Sequence, residues 1–105
     1  MQDKVYKIKY LPRFEKDLEE ITDYITFELY STDSAINLVN RIEKAILERQ
    51  SCPLSFEPFQ STRKRKHPYY RIYVNNFTVY YVIINDVMEV RRVLYKGRNV
   101  HKIIK

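Results

Sequence analysis

Positively charged side chains are concentrated in a stretch near the end of the chain that otherwise has the composition of a β-strand. The stretch is MEVRRVLYKGRN, residues 88–99, and it carries Arg92, Lys96 and Arg98 close to Gly97, the only glycine of the sequence. Guanidinium and ammonium groups at the end of a strand are suited to bind phosphates or carboxylates. We therefore predict an anion-binding surface at this turn.

Two strand arginines have a choice of partner. Arg92 lies between apolar residues in the alternation, and an unpaired charge on an apolar strand face would be very costly. Its partner is either a bound anion or a helix acid such as Asp17 or Glu20, and the sequence leaves both open. Arg71 on the neighbouring predicted strand poses the same choice.

A second group of cations precedes the predicted sheet. The run contains Arg63, Lys64, Arg65 and Lys66. Such a run can clamp phosphates or an acidic peptide, although the same composition is also typical of a solvated loop.

The residue types exclude most catalytic templates. One glycine excludes a glycine-rich phosphate loop, and the two histidines and the lone Cys52 lack the spacing of metal ligands. We therefore expect neither a metal nor a cofactor. Ribonuclease chemistry stays open, because side chains of these types can activate a 2′-hydroxyl and stabilise the phosphorane charge. Its candidate residues would be Arg71, Tyr95, Lys96, Arg98 and His101.

Charge is distributed unevenly along the 105 residues. Residues 1–60 carry 8 Lys/Arg and 11 Asp/Glu, whereas residues 61–105 carry 11 and 2, so the net charge of +6 combines halves of −3 and +9. This polarity suggests docking of something acidic, either nucleic acid or a protein segment, although a soluble basic surface is the alternative. The longest apolar run has six residues, far short of the ~20 that span a bilayer. We expect a cytoplasmic protein with no membrane partner and one domain over residues 1–105.

Hydrophobic periodicity predicts the elements that position these residues. Residues 5–10 alternate as a strand, and two amphipathic helices come after it, the first with a continuous apolar stripe from Phe14 to Leu29. Three strands come next, joined by asparagine-containing turns that tolerate positive φ; they cover residues 69–74, 77–84 and 87–95. The order strand–helix–helix–three-stranded antiparallel meander (β-α-α-β-β-β) predicts an α+β fold with a helical hairpin on one face of the sheet.

The middle strand of the meander, residues 77–84, is apolar on both faces, as expected of a strand that is covered twice. The helical hairpin can cover one face. We expect the other face, which includes Tyr80, to stay partly bare and to form an interface beside the cations. The alternative is that the loop of residues 53–66 folds over it through Phe56 and Phe59.

These segments resemble a known family. YYRIYVNNFTVYYVI (69–83) and VMEVRRVLYKGRNVHKII (87–104) resemble the C-terminal half of RelE/ParE toxins of bacterial type II toxin–antitoxin systems, and YLPRFEKDLEEITDYI (10–25) resembles their first helix. The resemblance implies a toxin that is neutralised by a cognate acidic antitoxin.

The family divides by target. ParE-like toxins act on DNA gyrase and trap its cleaved-DNA complex without chemistry of their own, whereas RelE-like toxins cleave mRNA on the ribosome. In RelE-like members the middle strand opens with a Tyr-Arg pair, where this chain has Phe77-Thr78. The ending RRVLYKGRN resembles the ParE-like ending, with Asn99 where many relatives have aspartate.

The resemblance therefore favours a gyrase-binding toxin, with a ribosome-dependent mRNA endoribonuclease as the alternative and a non-toxic basic binding domain as a third reading. The residues assigned to binding of the target or the antitoxin are Arg71, Tyr80, Arg92, Lys96, Arg98, Arg63, Lys64, Arg65 and Lys66.

Overall fold

The computed structural model describes residues 5–59 and 65–104, apart from the side chain of His101. Its elements in chain order are β1 (Lys7–Tyr10), α1 (Pro12–Asp23), a π-helical turn (Tyr24–Glu28), α2 (Thr32–Arg49), β2 (Tyr70–Val74), β3 (Phe77–Ile84), β4 (Val87–Tyr95) and α3 (Val100–Ile103). The predicted β-α-α-β-β-β order and the α+β class are confirmed. No helix in these two described ranges has the length and hydropathy that crossing a bilayer requires.

The four strands form one mixed sheet in the order β1-β4-β3-β2. The meander of β2, β3 and β4 is antiparallel, as predicted, whereas β1 pairs with β4 in parallel. Asn75 and Asn85 begin the two tight turns with φ of 53° and 55°, a conformation that asparagine adopts more readily than most residues. The turn chemistry thus fixes the meander, and β3 lies inside the sheet.

The two long helices cover one face of the sheet, which holds the larger core cluster. Phe14 of α1 and the α2 residues Ile42 and Ile46 are buried against β3 and β4, where Tyr81 and Val90 are fully enclosed. Spacings of three and four residues place the apolar side chains on the helix face that contacts the sheet. The helical hairpin on one face is therefore confirmed.

The opposite face of the sheet is also covered, so the prediction of a partly bare face is wrong. Tyr80 is only 3% exposed and belongs to a second cluster with Tyr69 and Leu94. Phe59 of the preceding loop and Ile104 beyond α3 complete this cover. Side chains of the loop and of the C-terminal segment thus cover the second face of β3, for which the sequence predicted only partial cover.

The predicted helical stripe from Phe14 to Leu29 is interrupted by the π-helical turn. One extra residue in this turn rotates the residues beyond it, so that Leu29, which a continuous α-helix would bury, is 55% exposed. Tyr30 then adopts φ of 53° to lead into α2.

A β-bulge in β4 changes which side chains face the helices. Tyr81 pairs with Val90 and Tyr80 pairs with Arg92, which leaves Arg91 as the extra residue. A bulge inverts the alternation beyond it. Val93 therefore joins Val90 in the helix-side core, whereas Leu94 lies in the cluster on the opposite face. The prediction that Arg92 lies between apolar neighbours on one strand face is therefore wrong.

Candidate anion-binding cleft

A cleft of about 350 Å³ opens on the sheet face away from the long helices, where β2 and β3 meet the segment after β4. It brings together three of the predicted cations, Arg71, Lys96 and Arg98. The rest of the lining is aromatic, polar or aliphatic: Phe59, Tyr73, Thr78, Tyr80, Asn99 and Val100.

Arg71 is held in the cleft by its strand and by aromatic rings. It lies in the middle of β2, opposite Tyr80 of β3. Its guanidinium carbon is 5.1 Å from the ring centre of Phe59 and 5.7 Å from that of Tyr73, distances at which cation–π attraction operates. Its backbone carbonyl accepts a hydrogen bond from Nη1 of Arg49 at 3.0 Å, which ties the edge strand to α2.

The turn after β4 presents the other two cations. The backbone N–H of Lys96 donates to the carbonyl of Asn76 at 2.9 Å, and that of Arg98 donates to the carbonyl of Tyr95 at 3.0 Å. Between them, a Cβ on Gly97 would come 3.0 Å from the ring of Tyr95, so the glycine allows this close approach. Both cationic side chains are on exposed residues.

The electrostatics of the cleft favour an anion. None of Arg71, Lys96 and Arg98 forms an ion pair with a residue in the described part of the chain. No Asp or Glu among the described residues lines the cleft. Cations gathered in a concave surface with apolar walls concentrate a positive potential, which attracts phosphates and carboxylates.

Tyr80 forms part of the cleft wall rather than an exposed platform. Burial raises the pKa of Tyr80 above its ordinary value of 10.0, although the neighbouring charge of Arg71 acts in the opposite direction. The phenol therefore keeps its proton at neutral pH and is unsuited to act as a general base.

Arg92 is satisfied inside the protein, which decides between the two partners that the sequence left open. Its Nε and Nη2 donate to the two carboxylate oxygens of Asp17 at 2.6 Å and 3.0 Å. Asp17 is 5% exposed, and it also accepts the backbone N–H of Val93 at 3.3 Å. The contact lies beyond the end of β1, where α1 packs against the edge of β4 that β1 no longer covers. Arg92 is therefore a structural residue and not part of the cleft.

The remaining candidates lie elsewhere or outside the described residues. Arg65 places its guanidinium over the ring of Tyr69, at 5.0 Å, and neither Arg65 nor the exposed Lys66 lines the cleft. Arg63 and Lys64 lie outside the described residues, as does the side chain of His101. Tyr95 lines a different groove.

That second groove has a volume of about 660 Å³ and lies between α1 with its π-helical turn and the end of β4. Its walls are mainly apolar, with Glu20 on the helical side and Arg98 on the strand side. Arg98 therefore lines both cavities.

Two residues that line the cleft, Phe59 and Tyr73, and one that supports it from α2, Arg49, were not predicted from the sequence as parts of the site. Nothing in the sequence indicated a role for Arg49, because a basic residue near the end of a helix such as α2 is common. From the sequence, Phe59 could be placed only in a loop and Tyr73 only in a strand. No sequence period reveals that these residues meet Arg71. Among the described residues, no group of three His, Cys, Asp or Glu side chains is placed to hold a metal ion.

Comparison with models of protein families identifies one family for this chain. Residues 8–100 match the family model described as "ParE toxin of type II toxin-antitoxin system, parDE". No curated protein matches the chain in sequence.

Solved structures share the fold at low identity. A chain in the chromosomal ParDE system of P. aeruginosa superposes with a TM-score of 0.71 at 14% identity, covering 87% of this chain and 96% of that one. A chain of the RelB–RelE antitoxin–toxin complex of Methanococcus jannaschii gives 0.55 at 22% identity, covering 91% and 98%. A chain of the archaeal RelE–RelB complex of Pyrococcus horikoshii gives 0.60 at 14% identity, covering 90% and 98%.

Proposed function

Because the chain belongs to the ParE toxin family of type II toxin–antitoxin systems, we propose that it inhibits growth by binding DNA gyrase and trapping the cleaved-DNA complex. A cognate acidic antitoxin neutralises it by covering the same cations. The observation that carries the proposal is the convergence of Arg71, Lys96 and Arg98 on one cleft, with no ion-pair partner for any of them among the described residues.

The character of the cleft supports binding over catalysis. Its cations are suited to hold a DNA phosphate or an acidic side chain of gyrase. Tyr80, one of the two tyrosines that line it, keeps its proton at neutral pH because burial raises its pKa. Tyr95, which was a candidate acid or base for RNA cleavage, lines the neighbouring groove. The described lining thus offers anion-binding groups, and Tyr80 in its wall is unsuited to act as a general base.

Charge complementarity supports the antitoxin as a partner. The cleft is cationic, and three aromatic residues, Phe59, Tyr73 and Tyr80, line it beside the cations. A segment with carboxylates and apolar side chains matches this combination. Cover of the cleft by such a segment would remove the cations from the target.

The test uses purified chain, gyrase and supercoiled plasmid. Wild-type protein is expected to increase the fraction of cleaved DNA that is recovered after denaturation of gyrase. Arg71→Ala and Arg98→Ala should each lose most of this effect, whereas Lys44→Ala, on an exposed position of α2, should retain it. Wild-type protein that leaves both supercoiling and cleavage unchanged would contradict the proposal.

An mRNA endoribonuclease is the second candidate, because the same three cations also match the phosphate of RNA. Its test is a translation assay with primer-extension mapping of mRNA breaks. Codon-specific breaks that disappear in Arg98→Ala, together with an inactive gyrase assay, would favour this function.

The non-toxic alternative has its own test. Expression of the chain without an antitoxin should stop growth. Normal growth at a high level of folded protein would favour a binding domain that does not poison cells.

A further inference from the structure

The junction of the two long helices carries an unusual density of exposed apolar side chains. Five large apolar residues within thirteen positions are each more than half exposed: Tyr24, Phe27, Leu29, Tyr30 and Ile36. Tyr30 is 90% exposed and holds a positive φ, and the π-helical turn directs Leu29 outward. Irregular backbone of this kind is maintained at a cost and is concentrated at functional positions. We call these five residues the apolar tip.

The apolar tip has an acidic surround. Residues 17–40 contain six Asp or Glu and no Lys or Arg. Asp17 is neutralised by Arg92, and the other five acids lie on exposed residues: Glu19, Glu20, Asp23, Glu28 and Asp33. A partner that is itself acidic would be repelled here, so the tip requires a partner with cations beside apolar side chains.

The chain itself carries the required partner surface next to the tip. The 660 Å³ groove has Glu20, Tyr24 and Leu29 on its helical wall. Phe77, Tyr95 and Arg98 lie on its strand wall. The face is therefore apolar in the centre, acidic on one side and cationic on the other. A two-fold axis through the centre would place the acidic side of each copy against the cationic side of the other.

We propose that this face joins two copies of the chain in a symmetric dimer, with Glu20 of each protomer facing Arg98 of its partner. Exposed apolar patches of this kind mark protein interfaces, and opposite charges at their rim fix the orientation. Because Arg98 also lines the anion-binding cleft, the dimer withdraws one cation from that cleft. The dimer does not depend on which enzyme the toxin attacks.

Charge reversal on each side provides the test. Glu20→Lys places cations against Arg98 of the partner, and Arg98→Glu places carboxylates against Glu20. Each variant is expected to weaken the dimer at least ~10-fold, because each reversal occurs twice in a symmetric interface. An equimolar mixture of the two variants restores an opposite-charge contact and should form a dimer again. Glu48→Lys and Lys44→Glu, which make the same kinds of charge change on exposed positions of α2 outside the groove, should dimerise like the wild type.

The measurement is sedimentation equilibrium of the purified chain over a ~100-fold range of concentration, at about 50 mM and 500 mM salt. The wild type is expected to approach twice the 12.8 kDa mass of the chain, more completely at low salt. Circular dichroism establishes that the variants are folded. A wild type that stays at the monomer mass throughout would overturn the proposal. So would dimerisation of the two reversal variants at wild-type strength, or a mixture of folded variants that remains monomeric.

Discussion

The buried contact between Asp17 and Arg92 predicts a large loss of stability when one partner is removed. Asp17→Ala leaves the guanidinium of Arg92, 15% exposed, without the two charge-assisted hydrogen bonds at 2.6 Å and 3.0 Å. It also leaves the backbone N–H of Val93 without the acceptor at 3.3 Å. Breaking a buried ion pair from one side costs about 3–5 kcal/mol. That is a large share of the ~5–15 kcal/mol that stabilises a typical domain.

Removal of both partners should cost much less. In Asp17→Leu with Arg92→Leu no charge is left buried, and such replacements of a buried pair are often neutral or stabilising by about 1–4 kcal/mol. The unpaired N–H of Val93 reduces that gain by about 1–3 kcal/mol. The unfolding free energy of the double variant should therefore lie within about 3 kcal/mol of the wild-type value. It should exceed that of Asp17→Ala, which loses the acceptor of the Val93 N–H and also leaves a buried charge unpaired.

Urea unfolding followed by circular dichroism measures these free energies for the wild type, Asp17→Ala and the double variant. Arg13→Ala is the matched control, because Arg13 contacts the same carboxylate at 3.3 Å but is 51% exposed, so its loss should cost less than about 1 kcal/mol. If Asp17→Ala costs no more than Arg13→Ala, the buried ion pair is not essential for stability, since the guanidinium of Arg92 would then have reached solvent at little cost.

Three further perturbations test the scaffold of the cleft. Arg49→Met removes the hydrogen bonds at 3.0 Å to the carbonyl of Arg71 and to the hydroxyl of Tyr81, and should cost about 2–4 kcal/mol in urea unfolding; Arg41→Met, which removes one exposed hydrogen bond, should cost under about 1 kcal/mol. Burial raises the pKa of Tyr81 above its ordinary value of 10.0, so the unfolded chain loses this proton at a lower pH than the folded chain does. The unfolding free energy therefore falls as the pH rises beyond that value. Tyr81→Phe should reduce the difference in unfolding free energy between about pH 8 and pH 10.5. Gly97→Ala should cost at most about 1 kcal/mol, because the ring that the new Cβ meets at 3.0 Å is half exposed and can move aside; a larger loss in urea unfolding would show that the turn is rigid.

The element order of the fold was predictable because its signals are long and local. The helical spacing of the apolar residues and the asparagine turns specify the elements without reference to the rest of the chain. The parallel addition of β1 to β4 was not predicted, since it depends on how the helical hairpin returns the chain to the sheet. Departures of a single residue were also missed. The spacing of apolar residues does not reveal the extra Arg91 in β4 or the π-helical turn after Asp23.

The cationic residues of the candidate site could be predicted from the sequence, whereas the residues that form its walls could not. Arg71, Lys96 and Arg98 were identified from the sequence, and the structure places them around one cleft. Arg92 was ambiguous because a buried arginine is compatible with an internal carboxylate or with a ligand, and only the tertiary structure shows Asp17 beside it. The cover over Tyr80 comes from a loop and from the end of the chain, which have no periodicity to predict it.

The proposed inhibition of gyrase depends on the cations of one cleft and on no catalytic group. The most direct measurement is the amount of cleaved DNA in a gyrase reaction with the wild type, with the combined variant Arg71→Ala, Lys96→Ala and Arg98→Ala, and with Tyr80→Phe. The combined variant, while folded, is expected to stabilise no cleaved DNA, whereas Tyr80→Phe should retain the wild-type level. Cleaved DNA at the wild-type level with the combined variant would show that these cations are not required.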